Sequence, residues 1–218
     1  MRILILGGTG ASGLALIYKA LEVYPAGTVV VYARSPQKLP DDIAQHRSVT
    51  IVKGELDELD KAEAALDGVN AVVSALGPWL GHPPGHPIAT FYGELIILLL
   101  KHQIKRFLVL GTPTLRDSND KRSLFWASTI AGIKLTARTA YDEIVAIGEV
   151  MRGKGGELDW TIVRVPFLNN NNTELTLAGY VGDGKTGVGL SRKAFAAFCI
   201  EQIEKTEWVQ KAPFITDG

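Results

Sequence analysis

The sequence predicts an α/β domain built on a doubly wound parallel sheet, and three observations carry that expectation. Short, continuously apolar runs alternate with amphipathic helical patterns over the first 165 residues. A glycine-rich turn joins the first apolar run to the first helix. The last fifty or so residues abandon the alternation and read as a small C-terminal segment covering the substrate side of the sheet.

Arg2–Leu6 (RILIL) ends in glycines and contains no alternation, as a strand buried on both faces does. Comparable runs follow at Thr28–Ala33, Val49–Val52, Ala71–Ala75, Arg106–Leu110 and Trp160–Val165. Helical patterns lie between them at Gly13–Tyr24, Asp57–Leu66, Ile88–His102 and roughly Ser123–Arg152. After the sixth run come four consecutive asparagines, Asn169–Asn172, and a glycine-rich stretch, Tyr180–Gly189. Ser191–Glu204 is an amphipathic helix with Ser191 placed to cap its N-terminus, and Pro213–Thr216 is a candidate closing strand. The expected organisation is one domain, 1–218, to which 167–218 contributes the cover.

The first turn reads Gly7-Gly8-Thr9-Gly10-Ala11-Ser12-Gly13. Glycines at 7, 10 and 13, set between a strand and a helix, are the arrangement a dinucleotide pyrophosphate needs. Gly7 turns the chain sharply, Gly10 admits the phosphates, and Gly13 lets the helix pack closely. The helix N-terminus then offers free N–H groups to the anion. The second strand ends Tyr32-Ala33-Arg34-Ser35, where NAD-binding sequences carry an acid for the ribose 2′-hydroxyl. A guanidinium beside a hydroxyl suits a 2′-phosphate instead, so NADP is the expected cofactor.

Composition bounds the partners. Lys and Arg number 23, as do Asp and Glu. The balance gives no electrostatic reason to expect nucleic acid or an anionic membrane. The longest apolar run, Leu95–Leu100, is too short to span a bilayer. The single cysteine, Cys199, sits in the apolar run Ala194–Ile200 and reads as a small hydrophobe. With the first strand starting at the N-terminus and no disulfide framework, the expected location is cytoplasmic.

Taken in order, GGTGASG, YARSPQKL, KGELD, VVSALG, FLVLGTPT and DWTIVRVP resemble the atypical short-chain dehydrogenase/reductases. The nearest group is the NAD(P)H-binding, NmrA-like branch that includes flavin and biliverdin-IXβ reductases. The resemblance implies a Rossmann fold and a monomer. It places Gly7, Thr9, Gly10, Ala11, Ser12 and Gly13 on the pyrophosphate and Arg34 and Ser35 on the 2′-phosphate. It puts Leu56 and Asp57 beside the adenine, and Ser74, Ala75 and Leu76 along the ribose and nicotinamide. Gly111 and Thr112 would lie near the nicotinamide, with Pro166 and Phe167 closing over its carboxamide. One departure matters: no tyrosine has a lysine four residues on, and the position after Tyr141 is Val145. The superfamily's usual Tyr-x-x-x-Lys proton relay is therefore absent.

Three other groups are candidates for chemistry. Lys134, Arg138 and Tyr141 fall at i, i+4 and i+7, which on one helix gives them a common face. A cation one turn away would favour the phenolate and make Tyr141 a proton donor; the competing reading is a half-buried tyrosine beside solvated bases. Thr112 and Thr114 follow the fifth strand, where a hydroxyl can hold a substrate carbonyl, although Pro113 gives Thr112 a conformational role too. The loop 78–87 carries Trp79, His82 and His86 among prolines and glycines. Its aromatic and imidazole groups could stack on a flat substrate or, through His82, deliver a proton, or the loop could be a rigid surface turn. Two histidines four apart in such a loop share no helix face, so no metal site is expected. The sequence thus supports an NADPH-dependent reductase of a small aromatic or conjugated substrate. A non-catalytic NADP sensor and an isomerase or lyase on the same fold are the alternatives.

Overall fold

The computed structural model describes residues 1–218 and contains an eight-stranded, mostly parallel sheet. Its strands are β1 (Arg2–Leu6), β2 (Thr28–Ala33), β3 (Val49–Lys53), β4 (Ala71–Ser74), β5 (Arg106–Gly111), β6 (Asp159–Arg164), β8 (Thr176–Gly179) and β10 (Phe214–Asp217). They lie in the order β3-β2-β1-β4-β5-β6-β10-β8, with β8 alone running antiparallel to its neighbour. The first six strands have the doubly wound order 3-2-1-4-5-6, which leaves a crevice where the connections diverge between β1 and β4. A two-stranded parallel ribbon, β7 (Phe167–Asn169) with β9 (Gly189–Ser191), stands beside the sheet.

Period-2 alternation sends successive side chains of each strand to opposite faces. Leu4, Leu6, Val30, Val72, Phe107 and Ile162 point to one face. There they meet α4 (Pro87–Lys101), α6 (Arg138–Lys154) and the short α3 (Leu59–Ala64). Ile3, Ile5, Val31, Val73, Leu108 and Val163 point to the other, under α1 (Ala11–Val23), α7 (Arg192–Glu201) and the short α2 (Asp41–Ala44). Both faces being covered explains why the strands carry continuous apolar runs.

The C-terminal segment completes the sheet with β8 and β10 and lays α7 along α1. Ser191 caps α7: its hydroxyl accepts from the N–H groups of Lys193 and Ala194. The asparagine run serves the same helix start. Asn170 binds Arg192, Asn172 binds Lys193, and the carbonyl of Asn171 accepts from the Ser191 hydroxyl. Cys199 is buried on α7, and burial pushes its thiol well above the usual range, as expected of a packing residue.

One expectation is corrected. The helical pattern 123–152 is two helices, α5 (Leu124–Thr136) and α6, broken at Ala137. Ala137 has φ −139° and ψ 53°, outside helical space. The two helices serve different surfaces: Ile144, Ile147 and Met151 of α6 pack on the sheet, whereas α5 buries only Trp126. Leu124, Phe125 and Leu135 of α5 are exposed. Lys134 therefore does not share a helix with Arg138 and Tyr141. Its ammonium nevertheless lies 5.2 Å from the Tyr141 ring centroid across the break, and Arg138 is engaged by Asp142.

Arg164 is fully buried near the end of β6, and it pairs with both carboxylate oxygens of Asp120. Its remaining donors reach the carbonyls of Ala212 and Leu115. One side chain thus ties β6, the β5–α5 connection and the approach to β10 together. Replacing it by Met removes the charge and leaves the Asp120 carboxylate and two carbonyls without donors. Arg164→Met is expected to cost about 3 kcal/mol, measured as a lowered denaturation midpoint in urea at unchanged slope.

Candidate functional site

The C-terminal ends of β1, β2, β3 and β4 enclose a groove of about 680 Å³. Gly7 leaves β1 at φ +75°, a left-handed conformation in which a side chain would be strained. Gly10 then precedes α1 as an N-cap without a side-chain cap bond, and no acidic residue occupies the first turn. The leading N–H groups of the helix face the crevice with the positive end of its dipole. Gly13 is required by contact: a Cβ there would lie 2.1 Å from the carbonyl oxygen of Gly7.

Arg34 and Leu56 line the groove, as do Thr9, Gly10, Asp57, Ala75 and Leu76. The sequence-predicted cofactor residues are thereby largely brought together. Ala11, Ser12 and Gly13 form the helix start behind this wall, and Ser35 follows Arg34 just beyond it. Ser74 is buried and engaged by the Tyr92 hydroxyl at 2.6 Å and by the Leu76 N–H, so it shapes the β4 end from within. Burial holds the Tyr92 phenol far above its ordinary pKa.

Tyr32 is a groove residue that the sequence reading missed, whereas Trp79 stood in the candidate loop after β4. Tyr32 donates its hydroxyl to the Glu55 carbonyl, pinning the β3 exit to β2. Burial, with the nearby carboxylates of Glu58, Asp57 and Glu55, pushes the Tyr32 phenol up to about 12, so it stays a donor. Trp79 also lines the groove, and the Arg34 guanidinium sits 5.8 Å from its ring centroid. The signal for Trp79 was its place in the loop after β4; nothing local announced Tyr32.

His82 lines the groove too, yet its side chain is 1% exposed and its Nε2 lies 2.6 Å from Oε2 of Glu143. Glu143 is completely buried on α6, and its other oxygen accepts the Ala89 N–H at the start of α4. Trp79 packs edge-on against the His82 ring at 4.7 Å. The 78–87 loop is therefore held at two points, by Arg34 under Trp79 and by Glu143 under His82. Glu143 was missed because it sits 61 residues from His82 and reads locally as helix polarity.

A second cavity, about 220 Å³, adjoins the groove. Leu76, Gly77 and Trp79 line the groove while Pro78 lines the cavity, so the two meet across this segment. Thr112, Thr114, Trp126, Ile133, Pro166 and Phe167 are among its walls, and none of its lining side chains is charged. Thr112, Pro166 and Phe167 therefore belong here rather than in the groove, while Gly111 is buried in β5 behind it. Of 167–218, Phe167 alone reaches the cavity. Tyr141 lines neither space, whereas its neighbours Ala140 and Ile144 line the cavity.

A Rossmann sheet with a glycine turn and an open groove at its switch point defines a dinucleotide-binding α/β protein. The chain belongs to the NAD(P)H-binding family, whose model matches residues 7–206. No curated protein sequence matches. Among solved structures, it is similar to a short-chain dehydrogenase/reductase from Veillonella parvula in complex with NADP. That likeness has a TM-score of 0.81 at 18% identity, covering 99% of this chain and 94% of that one. It is also similar to ChuY, an anaerobillin reductase from Escherichia coli O157:H7, with a TM-score of 0.77 at 18% identity over 100% and 97%. No helix is long and apolar enough to cross a membrane.

The bare positions at Gly7 and Gly13 and the uncapped helix start fit a bound nicotinamide dinucleotide. Gly13→Ala is expected to weaken NADPH binding by at least tenfold, measured by enhancement of NADPH fluorescence. Glu143→Ala strands buried polar groups on His82 and Ala89. It should lower stability by about 2–4 kcal/mol, read by chemical denaturation, with Trp79 emission shifting as the loop loosens.

Proposed function

We propose that the protein is an NADPH-dependent reductase of small aromatic or conjugated acceptors. The observation that carries this reading is the segment Leu76–Trp79, across which the dinucleotide groove adjoins a cavity with no charged side chain in its lining. A bound NADPH supplies the hydride. The chain supplies the rest. Gly7, Thr9, Gly10 and the N–H groups of Ala11, Ser12 and Gly13 hold the pyrophosphate. Arg34 and Ser35 hold the 2′-phosphate, Leu56 and Asp57 flank the adenine, and Ala75 and Leu76, backed by Ser74, line the ribose. Gly111, Thr112, Pro166 and Phe167 frame the nicotinamide and the acceptor.

Among the three catalytic candidates, Thr112 has a hydroxyl in the cavity wall. Tyr141 stands outside it and His82 is engaged by Glu143. A conjugated acceptor accommodates this arrangement, because its reduced anion is delocalised and takes its proton from water. Thr112 orients the acceptor carbonyl, and the loop 78–87 excludes solvent from the junction. The protein acts as a monomer in the cytoplasm on this reading.

Steady NADPH oxidation with a panel of quinones, enones and flavins tests it. Turnover with at least one acceptor is expected. Tight NADPH binding without oxidation by any of them would assign the chain to nucleotide sensing instead. Arg34→Ala should raise the Kd for NADPH by roughly 10- to 100-fold, the loss of one charge-assisted contact, and leave NADH affinity nearly unchanged. Equal loss for both cofactors would place the 2′-phosphate elsewhere.

A further inference from the structure

The cavity beside the groove has a composition that selects by charge as well as by shape. Its volume, about 220 Å³, lies below the ~300–1,000 Å³ usual for drug-sized ligands. That space suits one or two fused rings. A linear tetrapyrrole, or an isoalloxazine with its ribityl phosphate, would extend out of it past the half-exposed Phe167.

The polar side chains among its lining residues are those of Thr112, Thr114 and Thr129. Thr112 Oγ1 accepts the Thr114 N–H and keeps its own proton to donate. No lysine or arginine is among the cavity's lining residues: Lys134 lies over the Tyr141 ring, Arg138 pairs with Asp142 and Arg164 with Asp120. A carboxylate or phosphate brought into the cavity would lose its hydration without gaining a counter-charge, a large cost. Trp126 and Phe167 lie nearly parallel there, with centroids 6.0 Å apart and planes 21° apart, and Phe167 is half exposed. That pair gives a flat ring an aromatic face on which to stack.

We infer that the acceptor is a neutral conjugated carbonyl compound of one or two rings, and that acceptors bearing a carboxylate, sulfonate or phosphate are rejected. The inference rests on the reading of this cavity as the acceptor site of the reductase. Rejection of anions comes from desolvation at the apolar wall; the threonine hydroxyls recognise the carbonyl oxygens.

A matched pair of probes tests it: 1,4-naphthoquinone and its 2-sulfonate, which differ by one charged group. Binding is measured by equilibrium dialysis against protein loaded with tetrahydro-NADP, whose nicotinamide ring is neutral and transfers no hydride, and NADPH oxidation is followed separately. The neutral quinone is expected to bind at least tenfold more tightly. Ile133→Lys places a cation in the wall without touching the groove and should shrink or reverse that ratio. Ala140→Lys does the same from α6 should the first variant fold poorly. Equal or tighter binding of the sulfonate by the unaltered protein, or tighter binding of FMN or a bilin than of naphthoquinone, overturns the inference. Selective quinone binding without NADPH oxidation upholds the cavity's selectivity and sinks the reductase reading, so the two failures are distinguishable.

Discussion

A Cβ on residue 13 would collide with the carbonyl of Gly7, so α1 can begin where it does only because that position is bare. The contact fixes how closely the helix approaches the turn, and hence where its unsatisfied N–H groups lie relative to the crevice. β1 sits between β2 and β4 and carries that turn at its end. The groove is then assembled from whatever leaves the four adjacent strand ends. Arg34 arrives from β2, Leu56 from the β3 exit and Leu76 from the β4 exit. Their convergence follows from parallel strands in register around one central strand.

What the sequence disclosed was local in origin. The six strands, the glycine turn, the arginine after β2 and the serine cap at 191 each declare themselves within a few residues. Continuous apolar runs, φ-tolerant glycines and short capping side chains act over that range. What stayed hidden depends on partners far along the chain. Glu143 looks like an ordinary helical acid until α6 brings it under His82. Tyr32 looks like strand core until the β3 exit presents its carbonyl. The break at Ala137 has neither glycine nor proline to mark it, and arises because α5 and α6 answer to different surfaces. The strands β7, β8 and β9 are three or four residues long, too short for a periodic pattern to show.

Buried charge is handled consistently. Arg164 is matched by Asp120 and by carbonyls. Arg106 is surrounded by the carbonyls of Gln202 and Asp159, and burial lowers its pKa to about 10. Glu143 is matched by His82 and a helix N–H. These satisfied groups lie in or around the sheet and its covering helices, and the cavity keeps a lining without charged side chains. The tethered loop 78–87 runs along the boundary between groove and cavity.

The exposure of α5 has a kinetic consequence. A helix that buries one large side chain has little burial free energy to oppose local opening, whereas the sheet and α4 open only with the whole domain. Amide hydrogens along α5 therefore exchange far sooner than those of β1 or β5. Since Trp126, Thr129, Ile130 and Ile133 of α5 form one wall of the cavity, local opening of that helix opens the cavity while leaving the strand ends that frame the groove in place.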